Sequence, residues 1–177
     1  CVCGDGATAS LGKASGVGHE VKSASFGTDG GGAEKLIVPL GAGANDFSGL
    51  PRLFMDGAGI ANFGVNVVPE VVSRTLENNG IAASDVDYYV FHQASKFMLD
   101  SLQSKLKLSD GQVPRFFSEI GNTVSSTIPI VIEHLMQKEK DFNKKNLLLI
   151  GFGVGLSWGG LVLMGQNNEE DLNARLL

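Results

Sequence analysis

The sequence has few cysteines, little positive charge, one tryptophan and no long apolar run. Its 177 residues carry 14 Lys and Arg against 19 Asp and Glu, a net charge of −5. That balance excludes the basic stripe that nucleic-acid binding requires. The apolar stretches Leu147–Ile150 and Leu161–Met164 are strand-sized, well below the roughly 18 residues of a membrane span. The start shows no basic segment leading into an apolar stretch, so no secretory leader is expected and a reducing cytoplasm is the expected compartment. Cys1 and Cys3 are the only cysteines, too few for a disulfide framework or a four-ligand metal site. In a strand they would point to opposite faces and not bridge, so packed thiols and no metal are expected.

Glycine is present in excess, 24 residues against a usual share of about 7%. With 43% hydrophobic and 19% charged residues the chain is globular, neither disordered nor fibrous. The first residue is Cys1 where an initiator Met would stand, which suggests a chain taken from something longer.

Fifteen of the glycines fall in residues 1–64, where the pattern predicts short strands at Cys1–Cys3, Thr8–Leu11, Val21–Phe26 and Leu36–Pro39. Gly41–Pro51 has no periodicity and reads as a loop. The period then changes. Val65, Val68, Val72, Leu76 and Ile81 mark one helix face, with a kink or restart expected at Pro69 and a stop at Asn79-Gly80. A strand is predicted at Asp87–Phe91, a helix at Ala94–Leu106, an extended piece at Val113–Phe117 and a helix at Ile128–Lys138. Asn146–Phe152 is apolar throughout, as a strand covered on both faces should be, and Leu156–Met164 is a further strand. A polar tail follows at 167–177. This order implies an α/β fold, a layered mixed sheet with covering helices.

Functional groups of such sheets gather at the carboxyl ends of the strands. Three segments fall there: His92-Gln93-Ala94-Ser95, Gly121-Asn122-Thr123 and Gly151-Phe152-Gly153-Val154-Gly155. His92 offers a proton shuttle or a hydrogen-bond donor, and Asn122 an amide donor. Gly153 and Gly155 let backbone N–H groups approach a substrate oxygen. Together they suit a site that stabilises negative charge on a carbonyl oxygen. His19, in a polar turn, and His134, on a helix, are expected to be structural. Gly155-Leu156-Ser157-Trp158-Gly159 matches a nucleophile elbow, but the Ser enters a strand-like run and no His follows residue 134. Gly151-x-Gly153-x-Gly155 lacks dinucleotide-loop spacing and leads into a strand.

Three motifs together, His-Gln-Ala-Ser at 92–95, Gly-Asn-Thr-Val-Ser-Ser-Thr-Ile-Pro at 121–129 and Gly-Phe-Gly-Val-Gly-Leu-Ser-Trp-Gly at 151–159, resemble ketoacyl-acyl-carrier-protein synthase III. Gly4-Asp5-Gly6-Ala7, Met55-Asp56-Gly57 and Val68-Pro69-Glu70-Val71 fit the same family, and the match runs from about Gly4 to Gly165. The resemblance implies a thiolase-like half. Residues 1–166 would be the C-terminal domain of a two-domain enzyme whose N-terminal half supplies the nucleophilic Cys. His92 and Asn122 would be the other two triad members, and Cys1 and Cys3 are not at the nucleophile's place.

The implied reaction is condensation of an acyl-coenzyme A with malonyl-carrier protein in fatty acid biosynthesis. The implied partners are acyl carrier protein, acyl-CoA, the N-terminal half and a second copy in a homodimer, with no nucleic acid, membrane or cofactor beyond the coenzyme A thioester. Val154 would give an oxyanion N–H, Phe152 would line the site, and Gly153, Gly57 and Ser95 would contact substrate. Two His mark the chain-elongating relatives, so Asn122 points to the initiating type. Ser95 replaces the usual Asn, Ala58 another Asn, and Phe97 a basic residue implicated in carrier docking, for which the adjacent Lys96 would substitute. The alternatives are a specialised or polyketide-type condensing relative using no ordinary carrier, or a non-catalytic dimerisation half.

Overall fold

A computed structural model describes residues 3–14, 18–39 and 52–166. The chain begins with short strands, β1 (Glu20–Val21), β2 (Ser25–Thr28), β3 (Leu36–Ile37) and β4 (Phe54–Met55), with a 3-10 turn at Gly30–Lys35 between β2 and β3. Helix α1 (Gly57–Asn79) follows, then β5 (Tyr88–Phe91), α2 (Lys96–Leu106), the single-turn α3 (Phe117–Ile120), α4 (Thr127–Lys138), β6 (Leu147–Gly153) and β7 (Ser157–Met164).

The main sheet runs β1-β7-β6-β5, and β2 shares the outer edge of β7 with β1. β5 and β6 are parallel, joined by a long helical crossover, while β7 runs antiparallel to β6, β1 and β2. The sheet is therefore mixed, and helices cover it. Its central strand β6 is apolar because both faces are occupied. Leu148, Ile150 and Phe152 join α1 and α2 in one core, whereas Leu147 joins Val131 and Leu135 of α4 in another. The strand period of two thus assigns alternate residues of β6 to opposite layers.

Helix α1 departs from the sequence expectation at its start. It begins two turns before Val65, at Gly57, because Asp56 caps it by accepting from the Gly59 N–H at 2.9 Å. In that first stretch only Ile60 and Phe63 stand among glycines and alanines, too few to mark a period. Pro69 lies inside one continuous helix. Burial of Val68, Val71 and Val72 on either side of Pro69 offsets the hydrogen bond its missing N–H forfeits. Gly80 closes the helix in the left-handed region (φ 63°), returning its N–H to Glu77 O and Leu76 O, as expected.

Other boundaries also moved. No strand forms at Thr8–Leu11, which is exposed coil, and of Cys1–Cys3 only an isolated pairing of Cys3 with Asn122 is described. Cys3 is exposed and free, not a packed thiol. The predicted strand Val21–Phe26 is two short strands, because Lys22 N reaches Val162 O at 3.0 Å and the chain then leaves the edge before pairing again from Ser25. Val113–Phe117 forms no strand; Val113 and Phe116 are instead buried anchors. The strand at Phe54–Met55, paired with β3, was not anticipated. The loop 41–51, the pair Cys1–Val2 and the tail 167–177 lie outside the described residues.

Candidate active site

His92 follows β5 directly and extends its pairing, since its N–H donates to Ile150 O at 2.9 Å. The next residue, Gln93, is fully buried and ties this loop to its neighbours. Its amide donates to Phe91 O (2.8 Å), and its oxygen accepts from the Phe116 N–H (2.9 Å). Sequence reasoning quoted Gln93 only as part of a motif; its role as a pin emerges from the fold. Ser95 caps α2, its hydroxyl accepting from the Met98 N–H at 3.3 Å, so the helix starts at Lys96 and not at Ala94.

Asn122 lies in the turn between α3 and α4. Its side-chain oxygen accepts from the Val124 N–H at 2.9 Å, which leaves the amide NH2 without a hydrogen-bond partner among the described residues. The Gly4–Gly6 segment braces this turn from outside: Gly4 N–H donates to Asn122 O (3.0 Å) and the Ser126 hydroxyl to Gly6 O (3.2 Å). Val124 has φ 54°, a left-handed conformation that a β-branched residue adopts only under strain.

The two turns meet through Thr127. His92 Nδ1 lies 2.8 Å from Thr127 Oγ1, and Thr127 Oγ1 lies 3.0 Å from Val124 O. His92 and Asn122 are thus both oriented by the backbone of Val124, one through a hydroxyl and one directly. Phe152 meets the His92 ring edge-on at 5.6 Å between centroids, an aromatic wall beside it. Burial pushes the His92 pKa below its usual value, against an opposing hydrogen bond from the ring to the Val124 carbonyl. The ring is therefore neutral at pH 7.

Val154 stands in the β6–β7 turn, exposed, and its N–H has no hydrogen-bond partner among the described residues. The turn is held by a reciprocal pair, Leu156 N–H to Asp29 O (2.8 Å) and Asp29 N–H to Leu156 O (2.7 Å). Gly155 has φ 138°, and a Cβ there would sit 2.2 Å from Ser157 Oγ, so no other residue fits. Gly153 ends β6, with open space where a side chain would be.

A cleft of about 410 Å³ opens between the start of α2 and the Asn122 turn, lined by Ala94, Ser95, Lys96, Phe117, Ser118, Gly121 and Asn122. Lys96 at its rim is exposed and paired with Asp100 at 2.5 Å; Asp100 also holds Arg115 at 2.5 Å. Those two cations keep the Asp100 carboxyl below its usual range. Gly57 opens α1 and makes no hydrogen bond with His92 or Asn122 among the described residues. His19 and His134 stay outside the site. His19 reaches Lys145 O at 3.0 Å beside Phe142, and His134 packs on Phe116. Among the described residues no cluster of His, Cys, Asp or Glu is fit to hold a metal.

Residues 76–164 match the family model described as 3-Oxoacyl-[acyl-carrier-protein (ACP)] synthase III C terminal, half of the chain. The chain belongs to this family. It is similar to a beta-ketoacyl-[acyl-carrier-protein] synthase III of Gloeobacter violaceus, with 33% identity over 171 residues covering 90% of this chain and 50% of that protein. A crystal structure of a 3-oxoacyl-(acyl-carrier-protein) synthase III superposes with a TM-score of 0.75 at 34% identity, over 88% of this chain and 49% of the other. A 3-oxoacyl-(acyl-carrier protein) synthase from Burkholderia xenovorans gives 0.70 at 37% identity, over 80% of this chain and 44% of the other. The chain spans about half the length of the curated relatives it matches. Its mixed sheet with covering helices is the thiolase-like half that the three motifs implied.

Proposed function

We propose that this chain acts as the C-terminal half of a 3-oxoacyl-[acyl-carrier-protein] synthase III, an acyltransferase of fatty acid biosynthesis. Residues 1–166 form its thiolase-fold domain, 167–177 its polar tail, and the N-terminal half brings the nucleophilic Cys. The complete enzyme works as a cytoplasmic homodimer, with acyl-CoA and malonyl-carrier protein as substrates and no cofactor beyond the coenzyme A thioester. One observation carries the reading. His92 and Asn122 are held by the same short segment, and each keeps one polar atom, Nε2 or the amide NH2, without a hydrogen-bond partner among the described residues.

The acyl group passes from coenzyme A to the Cys thiolate, releasing free coenzyme A. The malonyl thioester then loses CO2. The electron pair of the breaking carbon–carbon bond moves onto the α-carbon and the thioester oxygen, giving an enolate. His92 and Asn122 donate hydrogen bonds to that oxygen, whose charge grows only as CO2 leaves, so they lower the transition state more than the ground state. The α-carbon attacks the acyl-Cys carbonyl, the Val154 N–H helps hold the oxyanion, and the Cys thiolate departs as the new carbon–carbon bond completes. Phe152 keeps water from the His92 ring. Gly153 gives the thioester room along the backbone, Gly57 and Ser95 flank the substrate arm, and Lys96 meets the acidic carrier protein.

The test uses the full-length enzyme. His92→Ala loses malonyl-carrier protein decarboxylation by about a hundredfold or more while acyl transfer from acyl-CoA persists. Unchanged decarboxylation refutes the reading.

A further inference from the structure

The β6–β7 turn carries the Val154 N–H, yet it does little to hold itself. Val154 and Gly155 make no backbone hydrogen bond among the described residues. The pairing of β2 with β7 ends at Thr28 and Ser157, and the ladder runs on by one more pair, Asp29 with Leu156, through hydrogen bonds of 2.7 and 2.8 Å. Leu156 is thus fastened through both its N–H and its C=O to a strand outside the hairpin, with only Gly155 between it and Val154.

The chain then folds back over Leu156. Asp29 caps the 3-10 turn Gly30–Lys35, its carboxylate accepting from the Gly31 N–H at 2.9 Å, and this brings Gly32 down onto the Leu156 side chain. Both residues are buried. A Cβ on Gly32 would lie 2.5 Å from Leu156 Cδ1 and closer still to Cγ. Backbone conformation does not demand glycine here, since Gly32 lies outside the left-handed region; space alone does. Two residues earlier, a Cβ on Gly30 would meet nothing within 4 Å. Leu156 cannot step aside cheaply, because a close-packed core holds few voids to receive it. A side chain at position 32 therefore presses on Leu156 and, through Gly155, on Val154.

We infer that Gly32 is a positioning residue for the oxyanion donor: its missing side chain sets the depth at which Leu156 seats, and with it the place of the Val154 N–H. The inference rests on the proposed role of Val154 and concerns one half of the chemistry. As the Cys sulfur bonds to the acyl carbon and the coenzyme A sulfur departs, negative charge passes through the acyl carbonyl oxygen, which the Val154 N–H meets. Loss of CO2 from the malonyl thioester puts charge on a different oxygen, the one that His92 and Asn122 hold. Displacement of the turn slows the first reaction and spares the second.

The experiment compares Gly32→Ala and Gly30→Ala with the wild-type full-length enzyme in two reactions, acyl transfer from acyl-CoA to the Cys and decarboxylation of malonyl-carrier protein without an acyl donor. Gly32→Ala lowers kcat of acyl transfer roughly tenfold or more, with KM little changed, as a small displacement of an oxyanion donor does. Its decarboxylation stays at the wild-type rate, and Gly30→Ala changes neither reaction. Adding Leu156→Ala to Gly32→Ala opens the space the new Cβ needs, so the double variant transfers faster than Leu156→Ala alone. Unchanged acyl transfer in Gly32→Ala overturns the inference. So does an equal loss of both reactions, which marks general damage to the fold, or an equal loss of transfer in Gly30→Ala. Should Gly32→Ala fail to fold, the double variant decides: transfer no faster than in Leu156→Ala alone overturns the inference. Failure of the underlying reading looks different, since the wild-type enzyme then forms no acyl thioester from acyl-CoA.

Discussion

The two faces of the main sheet are built unequally. Among the described residues, 17 buried hydrophobic residues pack on the α1 and α2 side, and only six on the α4 side. Yet the α4 side carries the turn that orients Asn122 and, through Thr127, His92. The larger face supplies most of the folding free energy, since buried apolar area is the dominant favourable term. The smaller face supplies placement of His92 and Asn122. Stability and site geometry therefore depend on different residues, and substitutions should separate them.

The largest separation is expected from Leu148→Ala. Leu148 is fully buried in β6 on the larger face and touches no site residue's hydrogen bonds. Truncation should destabilise the fold by roughly 2–5 kcal/mol, read as a lower unfolding midpoint in urea, while decarboxylation per folded molecule stays near wild type. A loss of rate in the folded fraction would break the division between the faces.

A smaller effect comes from acid. Burial holds the His92 pKa below its unfolded value, so above pH 6.5 both states are neutral and the group is silent. As pH falls below 6.5 the unfolded chain binds a proton that the folded chain does not, and stability drops until the folded pKa is passed. His19, also depressed by burial, adds to the same slope. Thermal unfolding of the wild type between pH 7.5 and 5.5 should show this fall, and His92→Gln should flatten it in part. An unchanged slope in His92→Gln would mean that the ring is not held neutral by the α4 face.

The smallest effect is expected at Val124. Glycine there relieves a left-handed strain of about 1–2 kcal/mol for a branched residue and gives back about 0.5–1 kcal/mol in unfolded-chain entropy. Val124→Gly should raise stability slightly, by up to about 1 kcal/mol, visible as a midpoint a few degrees higher in a thermal melt. A marked loss of stability would show that the exposed Val124 side chain has a packing role that its surroundings do not suggest.

The same inequality governs what could be read from the sequence. β5, β6 and β7 were legible because their apolar runs are covered by helices, and α1 was legible from Val65 onward because its period of valines and leucines faces the larger core. Its first two turns were hidden, since Gly57, Ala58, Gly59, Ala61 and Gly64 leave only Ile60 and Phe63 to mark the period, and the Asp56 cap acts alone. The strands before residue 56 are two to four residues long and largely exposed, so Val21–Phe26 and Leu36–Pro39 registered only in approximate place, without the break between β1 and β2, and β4 did not register at all. Of the site, His92 and Asn122 stood out by type and by their place after strands or in a glycine turn. Thr127 did not, because a threonine near a helix start is ordinary in sequence. Only its distance to Nδ1 distinguishes it. Ser95 was read as a substrate contact, and its hydroxyl is engaged in capping α2.

Position 124 also shapes how this site can change over generations. The two groups that orient Asn122 and Thr127 there are peptide atoms, an N–H and a C=O, present whatever side chain the codon specifies. The valine side chain itself is turned outward. Drift at this codon is thus filtered by backbone conformation alone: glycine and asparagine should pass freely, bulkier types at some expense in stability, and proline should fail because it removes the N–H and forbids the required φ. The geometry of two reacting groups is in this way shielded from most single-nucleotide changes at the residue on which both depend.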